Sequence, residues 1–243
     1  GRIVVNAGAS WVMAADSIAA NASVTDNGTL TNDGVVLNTV SLGAGAVLTN
    51  ASGATITSTT EAVHGSGAGT VWNNGTIHGN SINSFGVYLG HGGAVTNELQ
   101  GAISGVTGLD VTGAVGVVLN SGVASGVIDG IAFGAGGTLN NSGGLISGGA
   151  IGVNVFGGSA SIANSGSIYG TTYGVDVGSG SATITNTSSI RAKKTGIVIH
   201  GGAGTVINSG IINGATADAV LLSPGYANEV AFTPTARFCG PVD

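Results

Sequence analysis

The chain has 243 residues, 47 of them glycine, with 42% hydrophobic and only 7% charged residues. This composition excludes collagen, for want of a three-residue glycine period, and simple disorder, which needs low hydrophobicity and high charge. A net charge of −6 argues against a basic surface that collects phosphates, so neither nucleic acid nor an anionic membrane surface is expected as a partner.

The opening "GRIVVN", without Met and without a basic-then-apolar signal segment, is expected of a mature chain or an excised fragment. Residues 1–27 predict an irregular N-terminal coil or cap. From 28 to 223 a repeat of about 22 residues takes over. Its first phrase, x-[VIL]-x-N, closes on Asn50, Asn73, Asn97, Asn120, Asn141, Asn164, Asn186 and Asn208, in nearly even steps. An earlier "LTN" ends at Asn32, a distinctly shorter step before Asn50. The second phrase is G-x-I-x-G, as in "GTIHG" at 75, "GAISG" at 101, "GSIYG" at 166 and "GIING" at 210. The third is G-[VIL]-x-[VILF], as in "GVYL" at 86, "GLDV" at 108, "GIAF" at 130, "GVNV" at 152, "GVDV" at 174 and "GIVI" at 196.

Each phrase alternates apolar and other residues with period two, which is the signature of a strand. Three short strands per repeat, at constant spacing, predict an all-β fold: a right-handed parallel β-helix, or β-solenoid, of some ten coils. At about 4.8 Å per coil it forms a rod roughly 45 to 50 Å long. Val71, Val95, Val118, Leu139, Ile162, Ile184 and Val206 are expected to stack in one interior column. Ile77, Ile103, Ile146, Ile168, Ile190 and Ile212 form a second, with Ala124 as its small member. The Asn column is placed at a corner that tolerates the left-handed conformation, its amides bonding along the stack, and glycine is assigned the other positive-φ corners. Residues 224–243, "PGYANEVAFTPTARFCGPVD", leave the repeat and predict a C-terminal cap or linking segment.

The string of these three phrases resembles the passenger regions of bacterial autotransporters and related large surface adhesins, over roughly residues 28 to 222. The resemblance implies export across a Gram-negative envelope and a secreted or cell-surface location near the outer membrane. It implies a non-catalytic structural or adhesive role, with a host or neighbouring-cell surface glycan or protein as partner. Two departures stand out: these residues hold no membrane β-barrel segment, and no Asn-Pro-Asn motif occurs, prolines being confined to Pro224, Pro234 and Pro241.

Parallel β-helices also host polysaccharide-cleaving enzymes, whose chemistry would have to stand on the outward columns. On the third strands the outward column is Tyr88, Asp110, Ala132, Asn154, Asp176, Val198, Leu221. Asp110 and Asp176 stand three coils apart, about 14 Å, beyond the roughly 5 to 9.5 Å of paired glycosidase carboxylates. His64, His78, His91 and His200 show no ligand spacing. No catalytic, cofactor or metal residue is therefore assigned and no cofactor is expected. On the first strands the outward column is Thr49, Trp72, Thr96, Leu119, Asn140, Ala163, Thr185, Ile207, too mixed for an ice-binding threonine array. Trp72, Leu119, Ile207, Val198 and Leu221 are candidates for an interaction patch, and Arg191, Lys193 and Lys194 for contact with an acidic partner. No apolar run reaches the roughly 18 residues of a membrane-spanning helix. A competing expectation is an extracellular filament in which the chain stacks on itself end to end. Tyr226, Val230, Phe232, Phe238 and Cys239 would then form the assembly segment, the lone cysteine having no partner within its own chain.

Overall fold

The phrase-by-phrase alternation does fold into stacked strands. The structure, a computed structural model, describes residues 1–20 and 22–243, and every regular element among them is a β-strand. First strands form an eleven-stranded sheet running from Ser10–Met13 to Glu229–Phe232. We number the coils 1 to 11 by these strands, so that Trp72 lies in coil 4, Leu119 in coil 6, Ala163 in coil 8 and Ile207 in coil 10. Second and third strands share a twenty-stranded sheet. Two strands, Ala102–Val111 and Val123–Phe133, run through the corner between them unbroken. Each strand pairs in parallel, residue for residue, with its counterpart one coil on: Val71 with Val95, Val95 with Val118, Ile168 with Ile190. This is a β-solenoid with three strands per coil.

The two expected apolar columns are both interior, every member at most 2% exposed. Third strands add two more, Val87–Leu109–Ile131–Val153–Val175–Ile197 and Leu89–Val111–Phe133–Val155–Val177–Ile199. Fully burying each such side chain contributes roughly 1.5–3 kcal/mol relative to leaving it exposed, which is why these letters hold while outward ones drift.

The asparagines form a continuous buried amide ladder. From Asn32 to Asn208 each Nδ2 donates to the Oδ1 of the next asparagine at 2.7–2.9 Å. The remaining Nδ2 hydrogen goes to nearby carbonyls, as from Asn141 to Gly144 at 3.0 Å. The expected left-handed backbone is absent, since Asp16 is the one described non-glycine residue with positive φ. Each asparagine is instead the last residue of its first strand, turned inward by strand alternation.

The glycines of the second and third phrases also differ from expectation. Neither Gly148 nor Gly152 has positive φ. A Cβ on Gly148 would run into the Ile151 carbonyl oxygen, and one on Gly152 would stand 2.6 Å from the Gly174 oxygen and 2.7 Å from the Ile168 Cγ2. These positions are glycine because two backbones and an interior isoleucine meet there, leaving no room for a side chain.

The solenoid also extends past the repeat detected in sequence. Arg2–Val5 pairs with Ser23–Asp26, and Ser10–Met13 with Thr29–Asn32, so residues within 1–27 are already stacked in register. Trp11 stands in the aliphatic column and Met13 in the asparagine column. At the other end Glu229–Phe232 pairs with Thr205–Asn208, and Arg237–Cys239 with Ile211–Asn213. Val230 continues the aliphatic column, Phe238 the isoleucine column, and Phe232 takes the asparagine position, its ring edge-on to Phe238 at 5.8 Å. The letters leave the repeat here, but the backbone does not: residues 224–243 contain the eleventh coil.

Candidate functional site

Two outward surfaces of this rod gather the side chains of interest. The first lies along the third strands. There the glycine at the second position kinks the strand, so that the residue before it and the residue two after it share the outer side. Phe85 and Tyr88, flanking Gly86, touch with ring centroids 5.3 Å apart, and His64 of the preceding coil lies 5.5 Å from Tyr88. Asp129, just before Gly130, accepts from Asn154 Nδ2 at 3.4 Å. The result is a strip with an aromatic cluster at one end, then Asp110, Asp129, Asn154 and Asp176, then His200 with its Nε2 3.6 Å from Asp176 Oδ1. That separation exceeds a hydrogen bond, and Asp176 Oδ1 has no other partner.

The sequence singled out Asp110 and Asp176 as too far apart to cooperate and missed Asp129, which lies between them. Strict alternation puts Asp129 on the inner side; the kink at Gly130 sets its carboxylate beside Asn154, both residues remaining buried. A signal existed: the residue before each third-phrase glycine forms its own column, Phe85, Thr107, Asp129, Ile151, Tyr173, Thr195. All three carboxyl groups are shifted upward, chiefly by burial. Burial, then the neighbouring Asp129 charge, pushes Asp110 up to about 6. Burial also raises Asp129, with the Asn154 hydrogen bond opposing and the Asp176 charge adding. Asp176 is raised by burial and lowered by His200. Among the described residues no group of three or more His, Cys, Asp or Glu is placed to hold a metal ion.

Val198 does not belong to an exposed patch. It is 1% exposed, set in the strip between Asp176 and Leu221 of adjacent coils, and Leu221 is half-buried. The kink makes the outward side of the third strand a furrow, which covers small and branched residues there. Arg191, Lys193 and Lys194 are exposed: Arg191 Nε donates to Ser189 Oγ at 2.8 Å, and Lys194 Nζ lies 5.7 Å from the centre of the Tyr173 ring. Of the terminal residues, Tyr226, Phe232 and Cys239 are exposed, whereas Val230 and Phe238 pack against the core.

The second surface is the outer face of the first-strand sheet. Trp72, Leu119 and Ile207 lie there in one column, each 42–44% exposed, with Val117 beside Leu119.

A fourth perturbed carboxyl lies inside the rod. Asp26 occupies a core position between Val5 and Leu42, fully buried; its Oδ1 accepts from the Gly28 amide at 2.9 Å while Oδ2 has no partner. Burial raises its pKa. In all four groups the folded pKa lies above the unfolded value, so the folded state holds the extra protons. Their contribution is full below about pH 4 and is lost as pH rises through the folded values, near 6 for Asp110. Melting temperature is therefore expected to fall between pH 4.5 and 7. Asp26→Asn and Asp110→Asn should each flatten that slope, Asp110→Asn by on the order of 1–2 kcal/mol. A melting temperature that rises over this interval would contradict the burial of these carboxyls.

The chain matches no protein-family model, no curated protein and no solved structure. No helix is long and apolar enough to cross a membrane among the described residues.

Proposed function

We propose that the chain is a structural and adhesive module of an exported bacterial surface protein, holding an extended surface glycan along the third-strand strip without cleaving it. The observation that supports this reading is the strip itself. Aromatic rings of His64, Phe85 and Tyr88 stand at one end of it and the partly exposed carboxylates Asp110 and Asp176 follow along the rod, with coils about 4.8 Å apart, so an extended chain of sugar rings meets stacking faces first and hydroxyl acceptors further on. The phrase pattern shared with autotransporter passengers points to the same class. Titration of neutral and acidic oligosaccharides into the protein is expected to show binding that Tyr88→Ala weakens at least tenfold. Thr138→Ser, on the opposite surface, should leave it unchanged.

A second reading, polysaccharide cleavage, is favoured by one observation: Asp110 and Asp129 stand on adjacent coils, and burial together with the Asp129 charge raises the pKa of Asp110. Paired carboxylates with separated pKa values can divide acid and base roles. Turnover of any bound glycan, abolished by Asp110→Asn or Asp129→Asn, would replace adhesion with this activity.

A further inference from the structure

We propose that the outer face of the first-strand sheet is the contact surface of a homodimer, in which two copies lie side by side with their solenoids antiparallel. Three observations meet here. First, the outward positions of all eleven strands include one charged residue, Glu229, so two such faces approach without repulsion. Second, the face carries Val12, Trp72, Val117, Leu119 and Ile207, all more than 40% exposed. Third, its shape is self-complementary. Trp72, Thr96, Leu119, Asn140 and Ala163 follow one another in a single column. The protruding Trp72 thus stands two coils before Leu119, and Ala163 stands two coils after it. A shallow depression lies over Ala163, bounded by Asn140, Ser165, Thr185 and Thr187.

A two-fold axis lying in the interface along the strand of coil 6 reverses the order of coils but keeps position along the strand. It sets Trp72 of each copy over Ala163 of the other, Leu119 against Leu119, and Ile207 over Thr31. Such a contact is isologous and closes at two copies. The face measures about 48 Å by about 14 Å, so roughly 1,300 Å² is buried between two copies, above the ~1,000 Å² that a specific interface requires. The third strands of both copies remain free, so the proposal does not depend on what the strip binds, and a dimer would present it twice.

Sedimentation velocity over a concentration series is expected to show a monomer–dimer equilibrium. Trp72→Thr copies the residue already present at Thr49 and Thr96, so it leaves the fold intact; it should weaken association at least tenfold. Ala163→Arg, which fills the depression from the other side, should do the same. Leu99→Asp, exposed but off this face, should have no effect. In a Cys239→Ser background, a short thiol cross-linker should join Leu119→Cys to its twin on the axis. It should fail with Ile207→Cys, whose twins lie about 38 Å apart across eight coil spacings. Monomers at every concentration would overturn the proposal. So would dimers indifferent to both substitutions, cross-linking through Ile207→Cys, or an open-ended series of species, which would point to end-on stacking instead.

Discussion

Replacing Asn141 with leucine is expected to destabilise the fold by about 3–5 kcal/mol, because it leaves several buried polar groups without partners. The substitution matches the asparagine in shape but removes a link in a buried ladder. Asn120 Nδ2 loses its acceptor, Asn164 Oδ1 loses the neighbour beneath it, and the Gly144 carbonyl loses a donor. Each buried group left without a partner costs about 1–3 kcal/mol, whereas the hydrogen bonds themselves are worth about 1 kcal/mol net. The neighbouring Asn140→Ala provides the control, because Asn140 points outward and is exposed; it should change stability by less than about 0.5 kcal/mol. Urea denaturation of both variants decides the matter. A double variant, Asn141→Leu with Asn164→Leu, should cost less than the sum of the singles, since the two share an orphaned link. In a solenoid each coil touches only its neighbours, so the damage should also appear as early hydrogen exchange in coils 6 to 8 while terminal coils stay protected. Equal costs for Asn140→Ala and Asn141→Leu would show that the ladder contributes little.

Phe133→Ala is expected to cost about 3–5 kcal/mol, the range for deleting a buried aromatic ring and leaving its cavity. Phe133 is the largest fully buried side chain, and the column opposite makes room for it. That column reads Gly93, Gly116, Gly137, Ala160, Ala182, Gly204. A Cβ on Gly137 would lie 2.7 Å from the Phe133 ring, and one on Gly116 would lie 3.0 Å from it. Along this stretch alanine appears where the third strands supply Val155 and Val177 instead. Gly137→Ala alone should therefore cost about 1–3 kcal/mol through overpacking. Phe133→Val combined with Gly137→Ala installs the pairing found one coil on, and should be more stable than the sum of the two single changes. Thermal melts of the four proteins test this, and strict additivity would mean that ring and glycine do not share the space.

Much of the architecture was legible along the chain because strand alternation and coil stacking are local rules repeated many times. One apolar letter every other residue names the inward side, and one such letter in every coil names the column. Both signals survive loss of the surrounding letters, as Ala124 shows within its isoleucine column. The ends were harder to read. Trp11, Met13, Phe232 and Phe238 occupy column positions with residues that no interior coil uses, because a terminal coil has solvent or a half-finished core on one side. The asparagine ladder stops where no further amide can accept, and Phe232 stands there instead.

By itself the sequence determined the strand phrases, the inward columns, the bonding of asparagines along the stack and the parallel three-stranded coil, since each follows from residue volume, polarity and period. Only the tertiary structure decided which outward residues are exposed. Trp72 and Val198 read alike in sequence, yet one protrudes and the other is covered, because a glycine kink folds the third strand into a furrow while the first strands stay regular. The same kink sets the buried Asp129 beside Asn154, where the Asp176 charge reaches it and its own charge reaches Asp110. Side-chain exposure and electrostatic coupling depend on the angle between neighbouring backbone segments. In this chain that angle is set where main-chain atoms meet at glycines, through contacts that no single phrase contains.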